Sequence, residues 1–376
     1  MINYSQQEII NEDINYVIKA LKSSHLTAGP FVKKFENELC KYFGSNYATV
    51  VNNGTSALNI IAKIFNWKKN DIVVTTPITF LATANCISQT NANVAFVDIC
   101  KDTYTIDPNK LESFLKKYPR RVKCVIGVDY AGHPCDWKAL KYLSLKYKFL
   151  LINDACHSMG SKYYNDKKYA IKYADFVTQS YHPVKAITTG EGGSILSNRK
   201  NFDNKFKLIK NHSMIKNKKK HWEYKIFEPG NNFRITDLQC ALGISQIKRL
   251  NFFIKRRREI AKIYDSCFKN DHRFHVPKVS KNIYHSYHLY PLLVNFEKLK
   301  CSKTNLIKEF LKKNIRLQVH YIPLHFQPYY KKNAIFSKKQ LSISENFYKK
   351  EISLPIYPSL KKNDLNNIIK KMLSLK

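Results

Sequence analysis

The sequence predicts an α/β fold: a mainly parallel β-sheet covered by helices, with a smaller C-terminal α+β domain. Two observations carry this. Short apolar runs alternate with stretches of helical period from about residue 48 to residue 196. One run, Phe149 to Ile152, is almost purely apolar, as strands buried on both faces are, and it ends in Asn153-Asp154-Ala155-Cys156-His157. An acid then stands beyond the carboxyl end of a strand, where open parallel sheets hold their ligands.

Residues 1–30 read as an arm with one helical stretch, Glu8 to Ser23, closing in the turn His25-Leu26-Thr27-Ala28-Gly29-Pro30. Phe31 to Phe43 has the apolar spacing of an amphipathic helix. Ala48 to Val51 is a strand, and Asn53-Gly54-Thr55-Ser56 turns into a helix from Ala57 to Phe65. A small-residue turn opening a helix offers N–H groups and hydroxyls to a phosphate, although Thr and Ser are also ordinary caps. Asp71 to Thr76 is a strand, Thr79 to Asn85 a helix start, and Val94 to Asp98 a strand. Asp107 to Lys117 is a helix, Lys123 to Val128 a buried strand, and Trp137 to Tyr147 a helix. Phe202 to Asn211, Leu238 to Leu250 and Ile254 to Phe268 are helical, and a domain boundary falls near Asn251. The domains are thus the arm (1–30), a large domain (31–250) and a small one (251–376). The small domain carries strands at Tyr287 to Val294 and Leu317 to Val319, and helices at Thr304 to Lys313 and Asn363 to Leu373.

The stretch Ser180 to Gly193 stands apart. Lys185 sits between two apolar runs, beside Pro183 and before Gly190, Gly192 and Gly193, whose backbones reach conformations other residues resist. A lysine so placed has a lowered pKa and can attack a carbonyl as a Schiff-base amine. Pyridoxal phosphate (PLP) uses such a lysine, and also needs an acid at its ring nitrogen, phosphate ligands and a flat cover. Asp154 is the candidate acid, alternatively a helix cap. His157 could hold Asp154 or the ring hydroxyl, or simply pack.

With 376 residues, 44% of them hydrophobic, the chain supports a sizeable core. No run is long enough to span a membrane and the start lacks a signal-peptide pattern, so a cytoplasmic protein is expected. Nine cysteines with no Cys-x-x-Cys pair argue against a disulfide framework and a zinc site, and the histidines at 285–288 and 320–325 lack metal-ligand spacing. The formal charge of +36 invites a nucleic-acid-binding reading. The lysines, however, are spread through every segment and form no stripe, so neither nucleic acid nor membrane is an expected partner.

Five stretches, Asn53 to Leu58, Thr79 to Asn85, Asp154 to His157, Ser180 to Gly193 and Asn232 to Asp237, resemble those of the DegT/DnrJ/EryC1/StrS sugar aminotransferases, in the same order and over almost the whole chain. The resemblance implies a PLP-dependent transferase of fold type I (aspartate aminotransferase-like) that passes through the pyridoxamine form. It implies Lys185 as the Schiff-base lysine, Asp154 at the pyridine nitrogen and Phe80 on the ring. Thr55, Ser56 and Ser180 would line the phosphate, and Asn232 would reach it from a second subunit, so a homodimer with shared sites is implied. Tyr4, His25, Leu26, Thr27, Ala28, Val319, His320, Tyr321 and Ile322, with Ser56, Ser180 and Asn232, match substrate-contacting positions. Tyr130-Ala131-Gly132, His182 to Lys185, Val319-His320-Tyr321 and Ile352 to Pro355 look most like members that use L-glutamate and a UDP-linked 4-keto-6-deoxy-N-acetyl hexose in pseudaminic acid biosynthesis. A perosamine or 4-amino-arabinose precursor is the alternative sugar. Cys156, Tyr181 and Asn231 depart from the usual residues.

Overall fold

The computed structural model describes residues 1–337 and 340–375. Seven strands form one sheet: β1 (Tyr47–Val51), β2 (Ile72–Thr75), β3 (Asn93–Phe96), β4 (Val122–Val128), β5 (Leu150–Asp154), β6 (Phe176–Ser180) and β7 (Gly193–Ser197). Their spatial order is β1-β7-β6-β5-β4-β2-β3. Five neighbours, from β6 to β3, run parallel, while β7 is antiparallel to both β1 and β6. The carboxyl ends of all strands except β7 therefore share one edge, and β7 begins there.

The apolar runs work because successive side chains point to opposite faces. Val50, Val74, Val125, Leu151, Val177 and Leu196 enter one buried layer. Their neighbours Val51, Val73, Ile126, Ile152, Phe176 and Ile195 enter the other. The first layer is closed by helices α2 (Pro30–Phe43), α5 (Pro108–Lys117), α6 (Trp137–Tyr147), the short α7 (Tyr169–Tyr173) and α9 (Asp237–Lys248). The second is closed by α3 (Gly54–Phe65), α4 (Ala82–Ser88) and α8 (Lys200–Ile209). Each fully buried Val, Leu or Ile here is worth about 1.5–3 kcal/mol.

The N-terminal helix α1 (Asn11–Leu21) lies on α9 and is pinned by charge: Asp13 accepts hydrogen bonds from Gln246 at 3.0 Å and Arg249 at 3.1 Å. Gly243 makes room on the far side of α9, since a Cβ there would stand 2.6 Å from the Phe35 ring. Helix α10 (Leu250–Phe268) leaves the large core after Ile254 and enters a third cluster from Ile260 onward. That cluster fills a three-stranded antiparallel sheet of β8 (Phe274–His275), β9 (Tyr290–Val294) and β10 (Glu351–Leu354), covered by α11 (Lys303–Lys312) and α14 (Lys362–Leu373). Between them, α12 (Pro328–Asn333) and the approach to α13 (Ser342–Lys350) return to the large sheet, where Tyr330 and Leu341 join the second layer.

Two expectations need correction. The segment 317–319 is no strand; it makes a bridge, Gln318 to Ser353, because its neighbours bend into the cavity described below. The helix expected from Thr79 starts at Ala82, and the Thr79 hydroxyl lies 2.8 Å from that of Thr83 in its first turn. Glu351–Leu354, about which the sequence carried no expectation of secondary structure, pairs with β9 as an edge strand. Among the described residues no helix is long and apolar enough to cross a membrane.

Candidate active site

The shared strand edge opens into a cavity of about 580 Å³. Each wall comes from the end of an element. Asn53, Gly54 and Thr55 follow β1, Thr79 and Phe80 follow β2, Asp154 ends β5, Ser180 ends β6, and the loop to β7 brings Lys185. The far wall is Tyr4 from the N-terminal arm, His288, and Val319, His320 and Tyr321 from the segment before α12.

The lysine loop is a closed hairpin of backbone bonds. Tyr181 N–H donates to the Gly192 carbonyl at 2.8 Å, Thr189 N–H to the Tyr181 carbonyl at 2.9 Å, and Lys185 N–H to the His182 carbonyl at 2.8 Å. Gly190 turns the loop at φ +79°. Gly193 is required by close approach, because a Cβ there would lie 2.5 Å from the Asn53 carbonyl carbon and oxygen. The unusual Tyr181 is accommodated by a 2.6 Å hydrogen bond with Ser194. Ser5 ties the arm to the loop through the Val184 carbonyl at 3.2 Å. Lys185 keeps some exposed surface, yet its amine is enclosed, and burial pulls it below the usual lysine range against the pull of Cys156 and Asp154.

Asp154 is buried and oriented by two donors. Thr83 Oγ donates to one carboxylate oxygen at 2.7 Å and Cys156 N–H to the other at 3.3 Å. His157 is buried too. Its Nδ1 accepts from the Ala131 N–H at 3.3 Å, so a neutral ring carries its proton on Nε2, directed to Tyr321 Oη at 3.2 Å. Burial, then the charge of Lys185, keeps His157 well below the ordinary histidine range. His288 lies beside it, ring centroids 4.3 Å apart, with its Nδ1 buried and unpartnered among the described residues.

The residues present fit PLP. The first turn of α3 is capped by Asn53, which accepts from Ser56 N–H at 2.8 Å, and the exposed Thr55 is free to face a ligand. A Cβ on Gly54 would fill the space toward Ser180, standing 3.0 Å from its Cβ. Helix N–H groups, Thr55 and Ser180 thus form a cradle for a phosphate. Asp154 offers a fixed negative charge to a ring nitrogen, Lys185 an amine to an aldehyde, and Phe80 a half-exposed ring as a cover, 51% exposed.

Of the residues expected from sequence, Tyr4, Thr55, Phe80, Asp154, His157, Ser180, Lys185, Val319, His320 and Tyr321 line this cavity. Ser56 is buried behind it as part of the α3 cap. His25, Leu26, Thr27 and Ala28 are exposed along α9, with Leu26 accepting from Asp237 N–H at 3.0 Å. Asn232, bridged to Asn211, and Ile322 are exposed as well. The structure adds Thr83, His288 and Glu191 to the wall. Thr83 was within reach of sequence reasoning, four residues after Thr79 on a helix start; His288 carried no signal beyond its place in a histidine cluster. Among the described residues no three His, Cys, Asp or Glu side chains converge to hold a metal.

A lysine in a closed loop, facing an acid and a phosphate cradle at the carboxyl edge of a mostly parallel sheet, defines a PLP-dependent transferase of fold type I. The profile of the DegT/DnrJ/EryC1/StrS aminotransferase family matches residues 7–373, and the chain belongs to that family. It is 39% identical over 364 residues to the UDP-4-amino-4,6-dideoxy-N-acetyl-beta-L-altrosamine transaminase of Campylobacter jejuni, covering 97% of this chain and 94% of that one. Helicobacter pylori PseC, an aminotransferase involved in the biosynthesis of pseudoaminic acid, superposes with a TM-score of 0.90 at 33% identity, covering 100% and 98% of the two chains. A Streptococcus pneumoniae protein described as a sugar aminotransferase, solved with PLP, superposes with a TM-score of 0.89 at 28% identity over 99% and 97%; its pyridoxamine (PMP) form gives 0.89 at 27% over 99% and 98%. The chain is a PLP-dependent nucleotide-sugar aminotransferase.

Proposed function

We propose that the chain moves the amino group of L-glutamate to C4 of a UDP-linked 4-keto-6-deoxy-N-acetyl hexose, forming UDP-4-amino-4,6-dideoxy-N-acetyl-β-L-altrosamine for a pseudaminic-acid-type sugar. The observation that carries the sugar is the near full-length similarity to the Campylobacter transaminase. Free glutamate and nucleotide sugars suit a cytoplasmic setting.

PLP, when bound, supplies an electron sink and carries the amino group between the two substrates as its PMP form. The chain's own groups do the rest. Lys185 Nζ, held low by burial, is the nucleophile that anchors the cofactor and the base that takes and returns the substrate's carbon-bound proton. Asp154, held by Thr83, keeps the ring nitrogen protonated. Thr55, Ser180 and the α3 turn hold the phosphate, with Ser56 supporting the turn, and Phe80 covers the ring and excludes water. His157 steadies the wall through Tyr321.

A homodimer completes the site in this reading. Asn232 and His25–Ala28 are exposed and lie outside the chain's own cavity, where a second copy would bring them in. Trp222 and Phe227, 66% and 79% exposed, and the row of Ile10 at the cap of α1 with Ile14 and Ile18 on it are apolar surface for such a copy. Mixing Lys185→Ala with Asn232→Ala protein should restore turnover, since one site of each mixed dimer is intact; no recovery from a stable mixed dimer would refute shared sites.

The test of the reaction is the absorbance of PLP-loaded protein. Glutamate should bleach the cofactor band and the UDP-linked keto sugar should bring it back. A bleached band restored by a GDP-linked keto sugar instead would keep the aminotransferase and overturn the assigned sugar.

A further inference from the structure

His320 is held at four points. Its N–H donates to Glu351 Oε2 at 3.0 Å, and its carbonyl accepts from Tyr130 Oη at 2.5 Å. Its Nδ1 meets Ser353 Oγ at 2.8 Å, and the Tyr4 ring lies against it with centroids 5.4 Å apart. The ring lines the active-site cavity, and its Nε2 has no hydrogen-bond partner among the described residues yet is not sealed from solvent. The remaining question is which ring nitrogen carries the proton, and a second layer answers it. Ser353 Oγ donates to Glu351 Oε1 at 2.6 Å. A hydroxyl has one hydrogen, so once Ser353 gives it to the carboxylate it can only accept from the imidazole. With Glu351 ionised, the proton must then sit on Nδ1, leaving a lone pair on Nε2.

We propose that Glu351 and Ser353, neither of which touches the cavity, are positioning residues that lock His320 in its Nδ1–H form, so that Nε2 accepts a hydrogen bond from a hydroxyl or amide N–H of the sugar substrate. The sugar half of this rests on the function proposed above; the tautomer does not. Burial keeps the ring neutral, pushing His320 down to about 3, helped by the charge of Lys185. Glu351 is buried beside Lys303, and burial raises its carboxyl to about 7 despite that cation.

The direct test leaves Glu351 and Ser353 unaltered. Protein carrying ¹⁵N-histidine, loaded with PLP and held about one and a half pH units above that value, reports each ring's tautomer by NMR. The His320 signal is identified by its loss in His320→Gln. An Nδ1–H ring is expected; an Nε2–H ring overturns the proposal, whatever the substrate proves to be. The second test is Glu351→Gln. Its amide oxygen can still take the His320 N–H, but its NH₂ then faces Ser353, whose hydrogen must turn to Nδ1 and drive the ring proton to Nε2. The expected result is a tautomer switch, a roughly tenfold rise in KM for the keto sugar and an unchanged rate of bleaching by glutamate. Ser353→Thr, which keeps the hydroxyl, should retain wild-type KM, and Ser353→Ala should not. Equal loss in both half-reactions, or a switched tautomer with unchanged KM, refutes the acceptor role.

Discussion

At the scale of single residues, Lys185 and Gly193 show two kinds of necessity. In the proposed mechanism Lys185 serves the chemistry and not the fold, since its buried amine is a cost that folding bears. Lys185→Ala should keep or slightly raise the melting temperature while lowering turnover by at least ~10²–10⁴-fold, the span a positioned proton carrier supplies. Retained turnover would remove the proposed mechanism. Gly193 is the converse. Gly193→Ala would press a methyl to 2.5 Å from the Asn53 backbone and should cost about 1–3 kcal/mol, read as a lower denaturant midpoint. The two residues were legible in sequence to different depths. A lysine among glycines announces chemistry, and Asp154 announces itself at the end of an apolar run. Ser353 lies in a stretch marked only by resemblance, and nothing local marks Glu351; what the two do together comes from Gln318–Tyr321 bending back beside them.

Among elements, α2 and α9 are joined by one carboxylate. Asp237, the first residue of α9, accepts from Gly29 N–H at 2.8 Å and Phe31 N–H at 2.9 Å, satisfying the exposed donors at the start of α2. Asp237→Ala removes two charge-assisted bonds and should destabilise by about 2–4 kcal/mol. Limited proteolysis should then cut near residues 25–30 sooner than in the parent; an unchanged pattern would show that the arm is held elsewhere. Most elements of the large sheet were readable because strand and helix periods alternate cleanly there. The antiparallel sense of β7 was not, because pairing direction leaves no trace in the apolar pattern. Nor were α7, α12 and α13, which are short or carry few buried side chains and so lack a full helical stripe.

For the whole molecule, buried neutral histidines set the acid limit. Burial holds His133 down at about 4 and His320 at about 3, from an ordinary 6.5. The unfolded chain binds protons at these sites as pH drops below 6.5, while the fold does not. Their contribution is complete above 6.5 and is lost as pH falls toward 4 and then 3, by roughly 3 kcal/mol for His133 alone. Buried His157, His285 and His288 act in the same direction. The melting temperature should therefore fall between pH 6.5 and pH 4; a flat profile would contradict the neutral assignments.

The antiparallel strand β7 has a consequence for synthesis. β1 is an edge strand whose neighbour in the sheet is β7, and the register joins Tyr47 to Ser197. A nascent chain leaving the ribosome must carry β1 unpaired through some ~140 residues of translation, until its partner emerges. The arm waits longer, for the whole of α9. β2 to β6 can assemble first, and the last strand to arrive both closes the sheet and draws the Lys185 loop tight, so this lysine is set in place by the step that completes the fold.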